Sequence, residues 1–526
     1  MNGAHGRGGG RDERPRRERG GGQGREGGAQ RDGQRDGQHA GERRRGGERP
    51  RGGPRERSAA APSERRRTGD PARLAAFDVL REVDGSDAYA NLVLPPLLRE
   101  RRIQGRDAAF ATELAYGTLR LRGRYDAVIE QCSQRALTEI EPAVLDILRL
   151  GVHQLLGMRV PPHAAVSETV ALARQRTGAG SGQFVNAVLR RVSEHTLAEW
   201  LELLAAAADP AGTDLEARLA ALESHPAWVV RALRGALQAN DRDPAELAAL
   251  LAADNESPKV SLVLRPGLAT EEDVPEGAEP GRWSPTARTL PGGDPGALRA
   301  VREGRLGVQD EGSQLVALAL AAAPLEGRDE EWLDLCAGPG GKAALLGSIA
   351  AQRGARLVAN ELAAHRAELV RRSVAAVPEG VVEVRRGDGR ELGELEAGRF
   401  DRVLVDAPCT GLGALRRRPE SRWRRRPADL AALGPLQRAL LASAIDASRP
   451  GGIVAYVTCS PHVAETQLVV EDVVRSRSDV EILDARAVML GVSPEIPLAE
   501  RTDVQLWPHV HGTDAMFLAL IRRTLG

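Results

Sequence analysis

Past residue 330 the sequence settles into five short apolar runs: EWLDL (331–335), ARLVAN (355–360), VVEVRR (381–386), FDRVLVDA (400–407) and GGIVAYVT (451–458). Each is separated from the next by a stretch long enough for a helix. Runs of this length are strands buried on both faces, and helices between them make crossover connections, so the pattern predicts a parallel sheet covered by helices on both sides. The fold class expected over 331–526 is α/β and Rossmann-like.

Upstream the texture differs. Over 71–205, ARLAAFDVLREV sets Ala76, Phe77, Leu80 and Val83 at three-to-four spacing. Similar faces recur in LDILRLGVHQLLG, SETVALARQ and GQFVNAVLRRV, so an all-helical domain is expected, its stripes ordinary core. Residues 206–330 read as a small mixed linking domain: helix-like to about 253, then a strand in KVSLVLRPG, then Pro/Gly-rich loops over 275–296. Residues 1–70 hold 19 Arg and 19 Gly against 11 acidic residues, a surplus of eight positive charges in a chain whose formal net charge is zero. With almost no large apolar side chains this arm is expected to stay disordered, either contacting RNA phosphates or acting as a solubilising tail. The four cysteines, Cys132, Cys336, Cys409 and Cys459, lack CxxC spacing. That argues against a disulfide framework or a tetrathiolate zinc site, so no metal is expected and the compartment expected is the cytoplasm. No signal segment opens the chain and no window is long and apolar enough to span a membrane.

The run EWLDLCAGPGGK (331–342) reads as a strand, a glycine-rich turn and a helix starting near Lys342. Gly338, Gly340 and Gly341 let a backbone approach a ligand closely. The spacing fits neither a dinucleotide fingerprint nor a P-loop, since alanine follows Lys342. Downstream, Glu361 ends the second strand, 20 residues after Gly341, where a carboxylate can accept ribose hydroxyls. Asp388 ends the third, suited to an adenine edge, and Asp406 ends the fourth. Singly each is a turn or cap residue; together with Asp334 they favour S-adenosylmethionine over NAD or ATP. Cys409 and Cys459 fall on the same rim. A lone cysteine there is ordinarily a small hydrophobe, but two beside a methyl donor suggest pyrimidine chemistry. A thiolate added to C6 makes the otherwise inert C5 nucleophilic toward a methyl group.

DLCAGPGGK, GDGR, DAPCTG and VTCS, in this order and spacing, resemble the NOL1/NOP2/Sun family of RNA cytosine-C5 methyltransferases. AFATELAYGTLRLRGRYD (109–126) and GQFVNAVLRRV (182–192) resemble the NusB-like RNA-binding domain, a combination found in the RsmB (Fmu) type that modifies 16S ribosomal RNA. The resemblance covers about 71–526. It implies S-adenosylmethionine-dependent methylation of cytosine C5 in ribosomal RNA by a cytoplasmic monomer, through a covalent cysteine–C6 adduct. It also implies that Cys459 is the nucleophile and Cys409 the group that helps release product, whereas the analogy with DNA methyltransferases would make Cys409 attack. The turn Cys336, Ala337, Gly338, Pro339, Gly340, Gly341 and Lys342, with Glu361, Asp388 and Asp406, is implied to contact the cofactor, and Asp406 also to face the cytosine N3/N4 edge. The sequence departs from the family in Glu361, where aspartate is expected, in Gly338, where alanine is common, and in HGTDAMF near the C-terminus, read as structural.

After DAPCTG comes LGALRRRPESRWRRR (412–426). Arg416, Arg417, Arg418, Arg422, Trp423 and Arg424 combine cations with an aromatic ring, a composition suited to phosphate contact and base stacking. The rival readings are cytosine-C5 methylation of tRNA or DNA and, in another class, a non-catalytic RNA-binding assembly protein.

Overall fold

Where the sheet binds is decided by the order in which its strands pair. The structure, a computed structural model, describes residues 69–86 and 88–524; of the arm expected over 1–70, only Gly69 and Asp70 are among them. Strands β1 (Ser261–Leu264), β2 (Glu279–Pro280), β3 (Ala287–Thr289) and β4 (Leu306–Val308) form an antiparallel sheet in the order β2-β3-β1-β4. The main sheet holds β5 (Glu331–Asp334), β6 (Arg356–Asn360), β7 (Val382–Arg385), β8 (Phe400–Asp406), β9 (Ser448–Thr458), β10 (Val480–Leu483) and β12 (Phe517–Arg523), in the order β10-β12-β9-β8-β5-β6-β7, with β11 (Val504–Gln505) paired to β12. The five predicted strands are parallel to one another, while β12 runs antiparallel to β9. The chain passes from β5 outward to β7 and then returns to β8 on the other side of β5. Connections therefore diverge between β5 and β8, and open α/β sheets bind ligands in the crevice beyond the strand ends at such a point.

Alternate residues of these strands enter two separate cores, as a period of two requires. Trp332, Leu404, Ala455 and Val457 pack with the helices Glu311–Ala322 and Gly341–Arg353 on one face. Leu333, Val403, Val405 and Tyr456 pack with Pro427–Ala447 on the other. Upstream, eight α-helices from Pro71–Ser86 to Leu197–Ala208 bury Phe77, Leu80 and Val83 with Leu114, Ile129 and Ile147. The last is capped by Thr196 and Glu199 in a reciprocal box. A further helical layer, Leu215–Leu222, Ala227–Ala239 and Leu247–Ala253, packs on Leu412, Leu415 and Trp507 of the C-terminal half. Within the stretch read as loops over 275–296, two strands of two and three residues form, too short to register as a periodic pattern. Among the described residues no helix is long and apolar enough to cross a membrane.

Candidate active site

The crevice beyond β5 and β8 gathers the carboxylates of Asp334, Glu361, Asp388 and Asp406. Asp334, at the tip of β5, is 1 % exposed, and its carboxylate has no side-chain partner, only a weak approach from the Cys336 N–H. Burial, then the neighbouring Asp406, pushes its pKa up to about 8. Lys342, in the first turn of the helix Gly341–Arg353, donates from Nζ to Asp406 Oδ2 at 2.8 Å. Burial alone would favour neutral lysine, but Asp406 more than offsets it and holds the ammonium above its ordinary pKa.

The glycine-rich turn is shaped around Glu361. The Gly338 N–H donates to Glu361 Oε2 at 3.1 Å, and the Ala363 N–H donates to Oε1 at 2.9 Å. A Cβ at Gly338 would collide with that carboxylate and crowd Arg366, so the glycine at the position where the family commonly carries alanine goes with the longer glutamate. Arg366 donates to the Gly338 carbonyl at 2.6 Å. Cys336, Ala337 and Pro339 lie on the same turn, with the Ala337 N–H on the Asn360 carbonyl at 2.8 Å. Burial drives the Cys336 thiol upward, followed by Asp334, so it stays protonated. Asp388, on the turn after β7, is partly exposed and engages Arg390, whose Nε lies 3.0 Å from its oxygens; that pairing lowers its pKa. Asp334, without a side-chain partner, and the backbone left clear at Gly338 fit a ligand carrying a cationic head and hydroxyls.

Beside Asp406 the structure brings the two cysteines together, with Cys409 Sγ and Cys459 Sγ 3.4 Å apart. The pair is unequal. A hydrogen bond from Cys409 holds Cys459 below the ordinary thiol range against burial and Asp406, with Arg418 and Lys342 adding to the effect. Cys409 is raised by the same bond, by burial, and by Glu465 and Asp406. The thiolate is the reactive form of cysteine, and the surroundings favour ionisation of Cys459 over that of Cys409.

The arginine-rich segment corrects an expectation. Arg416 and Arg422 were expected to face RNA, but they are 5 % and 0 % exposed. Arg422 donates to the carbonyls of Arg120, Ser224 and Asp254 and to Asn255 Oδ1. Arg417 binds Asp310 and Asp514 at 2.6 and 3.2 Å, with Arg416 close behind. Arg424 donates to the Ala88 carbonyl, and Trp423 packs against Gly123. The cluster is drawn inward because it meets acceptors from three separate parts of the chain. Arg418, stacked over Tyr89 at 4.7 Å, is the member whose charge reaches the thiols.

Two residues were missed from sequence. Glu465, 1 % exposed, accepts from the Thr410 N–H at 2.8 Å and from Thr410 Oγ1 at 2.5 Å, just after Cys409. Gln437 joins it, donating to the Pro408 carbonyl at 2.9 Å. Neither stands out in the sequence, since Glu465 is followed by Thr466 and Gln467 and Gln437 by Arg438, as in any polar turn or helix face.

Residues 320–522 match the family described as 16S rRNA methyltransferase RsmB/F, and residues 70–194 match the NusB family. A Mycobacterium tuberculosis protein named "Putative methyltransferase Rv1407" is 53% identical over 463 residues, covering 87% of this chain and 98% of that one. "Ribosomal RNA small subunit methyltransferase B" of Salmonella paratyphi B is 33% identical over 402 residues, 74% of this chain and 86% of that one. Among solved structures, PH0851 superposes with a TM-score of 0.71 at 21% identity, covering 86% of this chain and 99% of that one, a likeness of fold.

Proposed function

Because the chain belongs to the RsmB/F family of S-adenosylmethionine-dependent rRNA methyltransferases, we propose that it methylates C5 of a cytosine in 16S ribosomal RNA through a covalent adduct with Cys459. The observation that carries this reading is the unequal thiol pair, with Cys459 held toward the thiolate beside Asp406 and Lys342.

The turn from Cys336 to Lys342, with Glu361 and Asp388, would hold S-adenosylmethionine. The buried acceptors of Asp334 and the cleared backbone at Gly338 suit its ammonium and its close approach. When bound, it supplies an electrophilic methyl group. The residues of the chain do the rest. Asp406 faces the N3/N4 edge of the base and makes C6 more electrophilic, and Lys342 holds that carboxylate in place. The Cys459 thiolate adds to C6, which gives C5 enamine character. Once bonded to C6, the Cys459 sulfur no longer accepts from Cys409, which gives its own proton to solvent. After C5 carries the methyl group, Cys409 takes the C5 proton, and elimination breaks the S–C6 bond and returns Cys459 as thiolate. The target base must be turned out of its surroundings to reach the thiols, so the RNA has to be gripped on either side. The NusB-like helices and Arg418 support that part of the reading.

The test is to incubate the protein with labelled S-adenosylmethionine and unmodified 16S rRNA and digest the product to nucleosides. All label is expected in 5-methylcytidine. Label in any other nucleoside, or no label in 16S rRNA while a parallel incubation with transfer RNA takes it up, would contradict the proposal.

A further inference from the structure

Glu465 is a buried carboxylate for which the reaction above has no use. Its oxygens meet only neutral donors: the Thr410 N–H and hydroxyl, and Gln437 Nε2 at 3.3 Å. Among the described residues no cation stands within ion-pair distance of it. The same Gln437 amide reaches the Pro408 carbonyl. Glutamate and glutamine together thus grip the peptide on both sides of Cys409. The backbone of Glu465 is itself fixed, since Tyr456 donates its hydroxyl to the Glu465 carbonyl at 2.8 Å. An amide or hydroxyl would fill the position without a charge; a carboxylate there places a full negative charge in a dry region one residue from a thiol.

We propose that Glu465 is a positioning residue that clamps the peptide around Cys409 and, through its charge, keeps the proton of the thiol pair on Cys409, so that Cys459 is the sulfur left free to attack. The proposal rests on the assignment of Cys459 as nucleophile. The charged and titratable groups facing Cys409 are Cys459 after β9, Asp406 at the end of β8, Glu465, Tyr456 and, through the Thr410 carbonyl, Arg425, while Lys342 and Arg418 stand beside Cys459. Of these, Lys342 and Arg418 favour the Cys459 thiolate, and Asp406 opposes ionisation of either sulfur. Glu465 binds the peptide next to Cys409 and adds to the pull on that thiol, after the larger effects of the Cys459 bond and burial. The raised pKa of Cys409 agrees with this arrangement.

The test needs no substrate. The full chain, free of RNA, is alkylated with iodoacetamide over a range of pH, and labelling of each cysteine is read by peptide mass spectrometry. In the unmodified protein Cys459 labels first. In E465Q, which keeps the shape and removes the charge, labelling of Cys409 at neutral pH is expected to rise about tenfold as its thiolate becomes easier to form. E465D restores the low rate, and T410V, which loses the hydroxyl bond but keeps the charge, stays within about twofold of the parent, far below that tenfold change. Unchanged Cys409 labelling in E465Q, or a rise in T410V as large as in E465Q, would overturn the role of Glu465 and leave the reaction assignment intact. First labelling at Cys409 in the parent would overturn both. If E465Q loses its circular dichroism signal, T410V decides by the same criterion: parent-like labelling supports the proposal and a tenfold rise rejects it.

Discussion

Asp334 sits in the crevice between β5 and β8 without a side-chain partner, and its protonation links the site to stability. Its folded pKa of about 8 lies above the value near 3.9 of a free aspartate. The folded state therefore binds the proton more tightly than the unfolded one. Its contribution is fully present below about pH 4 and is lost as pH rises toward 8, at up to about 1.4 kcal/mol per pH unit. In the cofactor-free protein, D334N removes that slope, so its denaturation midpoint should exceed the parent's by a margin that grows from pH 5 to pH 8. A margin constant over that window would show that Asp334 does not titrate there. Asp334, Glu361 and Asp406 were legible from the sequence because strand ends at a Rossmann-like rim are few and their residues can be counted off. Glu465 was not legible, because its importance comes from meeting Thr410, 55 residues away, across two loops.

The loops carrying the two thiols are joined as one element. The Gly413 N–H donates to the Cys459 carbonyl at 2.9 Å, and the Ala515 N–H donates to the Gly413 carbonyl at 2.8 Å. A Cβ at Gly413 would strike the Ala515 carbonyl and press on the Cys459 carbonyl, both backbone atoms that cannot rotate away. G413A is therefore expected to cost about 1–3 kcal/mol of stability and to lower methyl transfer by about a hundredfold, since a misplacement near 1 Å at a reacting group has that effect. Paired thermal unfolding and single-turnover assays check it; parent-like turnover would separate this turn from the chemistry. HGTDAMF proves to hold more than a closing strand: the strand begins only at Phe517, and Asp514 before it binds Arg417. The parallel strands were readable because residues buried on both faces leave an unbroken apolar run. Strands β2, β3 and β11 were not, because strands of two or three residues are defined by their partners.

Across the whole molecule, Arg422 ties the thiol-bearing half to both helical layers. It receives acceptors from residues 120, 224, 254 and 255 and lies beside Asp254, whose pKa burial pushes up to about 7. Removing it leaves several buried carbonyls and a carboxyl without their cation, so R422A is expected to cost about 3–5 kcal/mol, read as a lower denaturant midpoint. A change under about 1 kcal/mol, the scale of an exposed charge, would contradict its place as a central tie. The segment's composition suggested RNA contact because sequence shows charges without their partners, and here the partners come from the other end of the chain. The central claim is that Cys459 attacks and Cys409 releases. It is tested most directly by mixing the C459S and C409S proteins separately with 16S rRNA and S-adenosylmethionine and resolving them on a denaturing gel. The account predicts a protein–RNA adduct that accumulates with C409S and is absent with C459S, which transfers no methyl groups; an adduct or methyl transfer retained by C459S would contradict it.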